Sequence, residues 1–465
     1  MSAASKTASS HLPDIVGAEH VSTDPAELGA CAVDGKLPSV TVCPGSTEEV
    51  IEVVKYAAAK KLALIASGAR TKLGIGSPPA RYDVALDMTR LNRIIAYDPG
   101  DLTLSVETGT PLRKVAEALA QHRQFLPLAV PYFDRATVGG TIASGVDTPL
   151  RQFYGTPRDY VLGMEFVLGE GVRSKSGGNV VKNVTGYDLH KLMIGSLGTL
   201  GVMTRVNFKT FPMPVASRGF VATFESLDRA IEMRNRVAQS PLTPMTFDLL
   251  SSHVADLFST PGAEQLAGSA MPAGVLSPGL WALTIGYSGK ENVLSRYEAE
   301  LRRMAAESAA DNVTVLGDRA RAAAFAFKRE FIPIALESSP ATTIVKISVL
   351  AARLKDALSA AIKAAEANQL LWAVMARSLG VIYFALLPTE HSQTSLRQVV
   401  AATNQVLAAG ASFGANITIP WCPSEWKSAI KIWGPERHDL AQMQKVKKVF
   451  DPLGIFSPGR FIGGI

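Results

Sequence analysis

The chain has 465 residues, too many for one ordinary core, so two or more domains are expected; 47% hydrophobic and 19% charged residues describe a well-packed enzyme-like protein. The net charge of +6 is spread along the chain without a long basic run, which excludes nucleic-acid binding as the main role. Cys31, Cys43 and Cys422 are far apart with no Cys-x-x-Cys pair, which argues against a disulfide framework or iron–sulfur ligation and for a reducing compartment.

The N-terminal run MSAASKTASSHLPD has no apolar segment of the signal-peptide type, and residues 1–35 read as a mobile lead-in. No stretch reaches the about 18–20 apolar residues of a spanning helix, so a cytoplasmic protein is expected, with any peripheral association at the inner face of the membrane made through a partner. Order is predicted to begin with the short strand around Val40-Thr41-Val42. Ser46 and Glu49 form a capping box for a helix that aligns Val50, Val53, Val54 and Ala57 on one face.

Leu62 to Ala66 reads as a buried strand emptying into Ser67-Gly68-Ala69-Arg70-Thr71-Lys72-Leu73-Gly74-Ile75-Gly76. Further strands are predicted at Asp83–Asp87 and Leu102–Glu107, and a helix opens at Thr110-Pro111 with Leu112, Val115 and Leu119 inward. A second glycine-bearing loop runs from Ala136 to Gly145, and Val161–Leu168 is another strand.

Gly177 to Gly201 carries two clusters of opposite character. Lys182-Asn183-Val184-Thr185-Gly186-Tyr187-Asp188 is polar and specific, with Tyr187 and Asp188 read as a buried phenol–carboxylate pair fixing the loop that follows. Gly195-Ser196-Leu197-Gly198-Thr199-Leu200-Gly201 is nearly free of side chains, so its N–H groups can approach a ligand and form an anion-binding nest. Several such loops in one domain imply a long phosphate-bearing cofactor. The strand–turn–helix Gly-x-Gly-x-x-Gly fingerprint and the Gly-Lys-Ser/Thr phosphate loop are both absent, so the fold is not the doubly wound one.

Val202–Phe211 alternates as a strand and ends at Pro212-Met213-Pro214, a domain boundary. Beyond it, helices at Leu227–Gln239, Glu291–Ala309, Leu354–Ala367 and Ser395–Ala408 alternate with strands such as Gly219–Phe224, Trp281–Ile285, Thr343–Val349 and Val381–Leu387. This texture predicts an α+β layer. Residues 260–280 read as an unpatterned loop, and the tail returns to turn chemistry at Asp451-Pro452-Leu453-Gly454.

The segments Ala66–Lys72, Ala136–Ala143 and Gly155–Gly163 resemble the PCMH-type FAD-binding domain of the vanillyl-alcohol-oxidase-like flavoproteins. Within that superfamily, Val181-Lys182-Asn183-Val184-x-Gly186-Tyr187-Asp188, Gly195–Gly201 and the terminal Pro458-Gly459-Arg460 resemble the FAD-binding E-type subunits of bacterial glycolate oxidases. The resemblance covers about residues 40 to 215 and the end of the chain. It implies an α+β fold with the FAD domain at 36–215, a ferredoxin-like cap at 216–435 and a segment at 436–465 returning to the FAD domain.

For the site, the resemblance implies that Ser67, Gly68, Ala69, Arg70, Thr71 and Lys72 hold the FAD pyrophosphate. Thr137, Gly139, Gly140, Thr141, Ser144 and Gly145 would line the flavin and ribityl side, and Gly198, Thr199, Gly201 and Val202 the adenine end. No loop histidine is available for covalent attachment, so FAD is expected to be non-covalent. Catalytic relatives carry a His-rich metal motif where this chain has Ala376 to Tyr383, so no metal is expected.

Oxidising a 2-hydroxy acid needs a base, a cation for the carboxylate and the flavin as hydride acceptor. Candidates are His190 as base, against a structural helix histidine; Lys346 as carboxylate-binding cation, against a strand lysine; and Arg460 as cofactor contact, against a tail cap. Trp421, Trp426 and Trp433 read as core or subunit interface. The family's complexes oxidise glycolate to glyoxylate with a second flavin subunit and an iron–sulfur subunit, which are the expected partners. Leu197 stands where the superfamily's catalytic dehydrogenases carry glutamate. That weighs towards a subunit and against one alternative, a self-sufficient D-2-hydroxyacid (lactate-like) dehydrogenase; the other alternative is a non-catalytic FAD relay subunit.

Overall fold

The computed structural model describes residues 11–178, 186–272 and 274–465. Lys182, Asn183, Val184 and Thr185 of the polar motif lie outside the described residues. Strands β1 (Val21–Ser22), β2 (Val40–Val42), β3 (Leu64–Ser67) and β4 (Val84–Asp87) form a sheet in the order β1-β2-β4-β3, with β2, β4 and β3 mutually parallel. Parallel neighbours need a crossover, and helix Thr47–Lys60 supplies it. The Ser46 hydroxyl accepts from Glu49 N–H, the Glu49 carboxylate reaches back to Gly45 N–H, and Val50, Val53, Val54 and Ala57 are buried.

The lead-in expectation is corrected for residues 11–35. Helix Leu12–Val16 buries Leu12 and Val16 against Val40 and Val42, β1 adds antiparallel to β2, and Asp34 is buried in an ion pair with Lys427 at 2.7 Å. Four scattered apolar residues (Leu12, Ile15, Val16 and Val21) are too few to show a period, yet they suffice to cover one open edge of a small sheet. Its other edge is extended by the distant segment 455–457: Leu64 N–H donates to Ile455 C=O at 2.7 Å and Ser457 N–H to Leu64 C=O at 2.8 Å.

The second sheet is antiparallel. It contains β5 (Ile94–Asp98), β6 (Thr103–Glu107), β8 (Val161–Val167), β9 (Arg173–Gly177) and β10 (Val202–Lys209) in the order β5-β6-β10-β8-β9, while the short β7 (Gln124–Phe125) pairs with β11 (Phe211–Pro212). Helices Leu112–Ala120 and Val138–Ser144 close its core, and Val167 and Val202 turn into the core of the first sheet.

From Ser217 a single eight-stranded antiparallel sheet takes over. Its strands are β12 (Ser217–Phe224), β13 (Thr246–Leu250), β14 (Trp281–Ser288), β15 (Asn312–Leu316), β16 (Thr343–Ser348), β17 (Leu371–Arg377), β18 (Val381–Leu387) and β19 (Asn416–Trp421), ordered β15-β12-β14-β13-β17-β18-β16-β19. It consists of two strand–helix–strand–strand–helix–strand units of ferredoxin-like topology, β12 to β15 and β16 to β19, joined edge to edge by β13 and β17. The sequence predicts the α+β layer; the duplication is found only in the pairing.

Strand alternation gives the cap sheet two unlike faces. Phe220, Phe247, Leu283, Val345, Val374 and Phe384 pack beneath helices Leu227–Gln239, Glu291–Glu307, Leu354–Ala367 and Gln393–Ala411. The opposite face carries Asp248, Thr284, Lys346, Arg377 and Tyr383. It meets the loops of the first domain and the connecting helices Asp318–Arg329 and Phe331–Ser338, which sequence periodicity does not reveal. Helix Pro261–Ala267 likewise interrupts the stretch read as loop.

At the centre of that face lies a buried charge network. Asp248 pairs with Lys328 and with Arg377, each at 2.8 Å, and Arg377 reaches Asp147 of the first domain at 3.3 Å, where Arg151 also pairs. Burial pushes the Asp248 carboxyl up, but Lys328 and Arg377 outweigh it and hold the group below the usual carboxylate range. Removing one partner of such a buried set costs about 3–5 kcal/mol because the others stay charged and unpaired. Asp248→Ala should therefore lower the unfolding free energy by that amount, read as a lower urea midpoint at unchanged m-value. The wild-type contribution should be complete above the unfolded carboxyl pKa and lost as pH falls through the depressed folded value.

Candidate cofactor and substrate site

The loop Ser67–Lys72 leaves the carboxyl end of β3, where parallel sheets place their ligands. Arg70 holds a left-handed φ of 60° and pairs with Asp87, which fixes the loop against the next strand. Gly68 touches the second loop: a Cβ there would stand 2.1 Å from Thr137 Oγ1. Thr137 caps helix Val138–Ser144, accepting from Gly140 N–H at 3.4 Å. Lys72 is buried and donates to Pro131 C=O at 3.0 Å and Thr71 Oγ1 at 3.3 Å; burial lowers its pKa to about 8, with Glu330 opposing the shift.

Arg460 closes this cavity from the far end of the chain. It is buried, and its Nη2 donates to Leu73 C=O and Ile75 C=O, both at 2.5 Å. Buried donors are normally paired. The Nε atoms of Arg70 and Arg460 and the Thr141 hydroxyl are buried without a hydrogen-bond partner among the described residues. Two cations, a buried lysine and a glycine contact with no room for a side chain suit a phosphate-bearing cofactor.

A second cavity, of about 230 Å³, adjoins the first and shares Ser144 and Leu197 with it. Its floor is Gly145, Val146, Gly195 and Leu197, and its roof is the cap face with Lys346, Tyr383, Thr418, Trp421 and Trp433. Gly195 N–H and Leu197 N–H hang from the Ile142 and Ala143 carbonyls, each at 2.9 Å, so the glycine loop is a continuation of the helix end. The closeness of Gly195 excludes a side chain from Gly145, where a Cβ would lie 2.9 Å from Gly195 Cα, while Gly195 itself holds a left-handed φ of 79°.

Lys346 projects from β16 with its ammonium 6.0 Å from the Tyr383 ring centroid, and has no hydrogen-bonding or ion-pairing partner among the described residues. Burial lowers its pKa; Asp147 opposes that and Arg151 adds to it. Burial likewise raises the Tyr383 hydroxyl above its ordinary range. The lining contains no aspartate, glutamate or histidine among the described residues.

The structure gathers Ser67 to Lys72, Thr137, Gly140, Ser144 and Arg460 round the first cavity, and puts Gly145 and Lys346 on the second. Gly139 instead packs on Thr108, where a Cβ would stand 2.7 Å from the threonine Cβ, and Gly198 lies beside Ser457. Thr199, Gly201 and Val202 line neither cavity. The Thr199 carbonyl accepts from Lys447 at 2.7 Å, Gly201 abuts the Val167 carbonyl, and Val202 is core.

His190 is corrected as a base candidate. It is buried outside both cavities with Nδ1 3.0 Å from Ser176 Oγ, and burial lowers its pKa, so it packs helix His190–Met193 onto β9. The buried Tyr187–Asp188 pair is also corrected: Tyr187 is 90% exposed and Asp188 pairs with Lys191 at 2.7 Å. Trp421 and Trp433 are cavity walls rather than core alone, whereas Trp426 is buried and stacks on His391. Sequence reasoning missed Asp147, Arg377 and Tyr383. The available signal was a single charge within an otherwise apolar strand, as in Leu371–Arg377, which must be paired if buried.

Residues 38–188 match the FAD binding domain, and residues 213–384 and 433–461 match the C-terminal domain of FAD linked oxidases. Together these cover most of the chain, which belongs to the FAD-linked oxidase family of flavoproteins. It is 36% identical to the glycolate oxidase subunit GlcE of Escherichia coli K12 over 203 residues, 43% of this chain and 55% of the relative. It is 34% identical to a D-lactate dehydrogenase of Anaerostipes hadrus over 224 residues, 48% of this chain and 47% of that one. The chain thus spans about half the length of the curated relatives it matches. Its fold is that of p-cresol methylhydroxylase, with a TM-score of 0.78 at 16% identity, covering 99% of this chain and 97% of that one. No helix among the described residues is long and apolar enough to cross a membrane.

The first cavity makes a pH-dependent prediction. Below pH about 8 Lys72 is already charged for a phosphate; above it, binding must recruit a proton. FAD affinity of the apoprotein, read by quenching of flavin fluorescence, should weaken above pH 8 in the wild type and lose that component in Lys72→Met. Gly68→Ala should abolish flavin retention, because its Cβ and the Thr137 side chain would compete for one space.

Proposed function

We propose that this chain is the FAD-binding subunit of a glycolate-oxidising complex, converting glycolate to glyoxylate and passing electrons to a partner subunit. The observation that carries the reading is Lys346: an ammonium without an ion-pair partner among the described residues, aimed from the cap into a cavity floored by the flavin domain's glycine loop. The names of the similar glycolate oxidase subunit and D-lactate dehydrogenase support the substrate class. With only three dispersed cysteines, the chain has no ligand set for an iron–sulfur cluster, so electrons leave through a partner.

Residues 67–72, Thr137, Ser144 and Arg460 would hold FAD non-covalently. When bound, FAD supplies the two-electron acceptor for the substrate Cα–H. Lys346 would bind the substrate carboxylate, with the Ser348 and Thr418 side chains beside it as further polar contacts and the carbinol carbon toward the floor. Trp421 and Trp433 exclude water from one wall, the latter held by its Nε1 donating to Ser77 Oγ at 3.1 Å. Among the described residues Lys346 and Tyr383 are the titratable side chains of the lining; Lys346 is held as an ammonium by the carboxylate and burial keeps the Tyr383 hydroxyl protonated, so the lining offers a cation and a hydrogen-bond donor rather than a base for the hydroxyl proton.

A second reading is a relay subunit that binds FAD while another subunit performs the chemistry; the lack of an imidazole or carboxylate in the lining favours it. Anaerobic addition of glycolate or D-lactate to the purified, flavin-loaded chain separates the two. Bleaching of the flavin supports catalysis here, and Lys346→Met should then raise the half-saturating glycolate concentration roughly thirtyfold, about 2 kcal/mol for a charge-assisted hydrogen bond. A flavin that stays oxidised supports the relay. A chain that cannot take up FAD would overturn both.

A further inference from the structure

The two halves of the cap are related strand by strand, and each covers a cavity on the flavin-facing side. In the second half Lys346 of β16 lies opposite Tyr383 of β18 and Thr418 of β19, and Tyr383 lies opposite Met375 of β17. In the first half Val221 of β12 lies opposite Thr284 of β14 and Thr314 of β15, and Thr284 lies opposite Asp248 of β13. Val221 therefore occupies the place of Lys346, and Thr284 that of Tyr383. Where the substrate cavity has its ammonium, the counterpart has an aliphatic wall.

That counterpart cavity measures about 380 Å³ and lies under the interdomain linker, between β12, β14 and Phe125, Leu150 and Tyr154 of the flavin domain. Its size is in the range of small-molecule sites, and its lining is mainly aromatic and aliphatic with few polar groups. Two cations reach it from helix Asp318–Arg329. Lys328 is committed, donating to Asp248 at 2.8 Å, Thr284 at 3.1 Å and Thr246 at 3.5 Å. Arg321 is not: its one carboxylate is the exposed Asp318 at 4.0 Å, and its Nε is buried without a partner among the described residues. Gly219 lies alongside it, where a Cβ would meet Leu316 Cβ at 3.1 Å and the Arg321 stem at 3.4 Å.

We propose that this cavity is a second ligand site, separate from the substrate cavity, for an amphipathic carboxylate whose apolar body lies against Val221, Phe125 and Tyr154 and whose head meets Arg321. The charge pattern selects that occupant. An apolar ligand would leave Arg321 uncompensated, and a small polar acid such as glycolate would leave the aromatic wall wet.

Titration calorimetry of decanoate into the flavin-loaded full-length chain tests it. Saturable binding is expected, weakened about tenfold in Arg321→Gln, largely restored in Arg321→Lys and unchanged in Lys346→Met. Circular dichroism and flavin content identify a misfolded variant, in which case Arg321→Lys against wild type, with Lys346→Met, still tests head-group recognition. The proposal is overturned if decanoate does not saturate, if Lys346→Met rather than the Arg321 variants weakens it, or if none of them changes it.

Discussion

A buried chain of charges ties the cap to the flavin domain at the centre of their contact. Asp147 follows the helix that floors the Lys346 cavity, Arg377 ends a central strand of the cap, and Asp248 and Lys328 complete the set. Each ion would be costly alone in this low-dielectric seam, so the network is stable only when both domains contribute their members. It also fixes the charge near Lys346, because Asp147 is the carboxylate that favours its ammonium. The same contacts thus set domain geometry and the electrostatics of the cavity between them.

The duplicated cap explains how one sheet serves several purposes. One face is uniformly apolar and covered by the paired helices of the two ferredoxin-like units. The other is free to differ between halves because no helix of the basic unit covers it, and the connecting helices Asp318–Arg329 and Phe331–Ser338 fill only part of it. Identical strand pairing therefore yields a polar cavity at Lys346 and an apolar one at Val221.

The flavin fold was legible because its loops require glycine for steric reasons. At Gly68 and Gly145 a side chain or backbone of another element approaches too closely for a Cβ, and at Gly195 the left-handed φ favours glycine, so composition reflects geometry directly. Lys346 was legible for a different reason: a lysine in a short apolar strand needs either solvent or an anion. The network at Asp147, Asp248 and Arg377 was not, since its members are separated by 230 and 129 positions and pairing across such distances leaves no local pattern. His190 misled because a histidine beside a polar motif looks chemical, whereas its bond to Ser176 depends on a strand that sequence periodicity did not show. Left-handed Arg70 and Leu197 also escaped notice, as neither residue type signals that backbone conformation.

Arg460 donates to carbonyls of Leu73 and Ile75 at separations of 387 and 385 positions, and residues 455–457 lie along the edge of β3. During synthesis the loop Ser67–Lys72 leaves the ribosome long before the segment that braces it exists. The cradle is thus among the last parts of the domain to be assembled, after the whole cap has been made. On the proposed reading of the cavity, molecules truncated within the cap would carry the glycine loops yet lack their brace, so flavin uptake would report that the cap has been made and residues 455–460 docked.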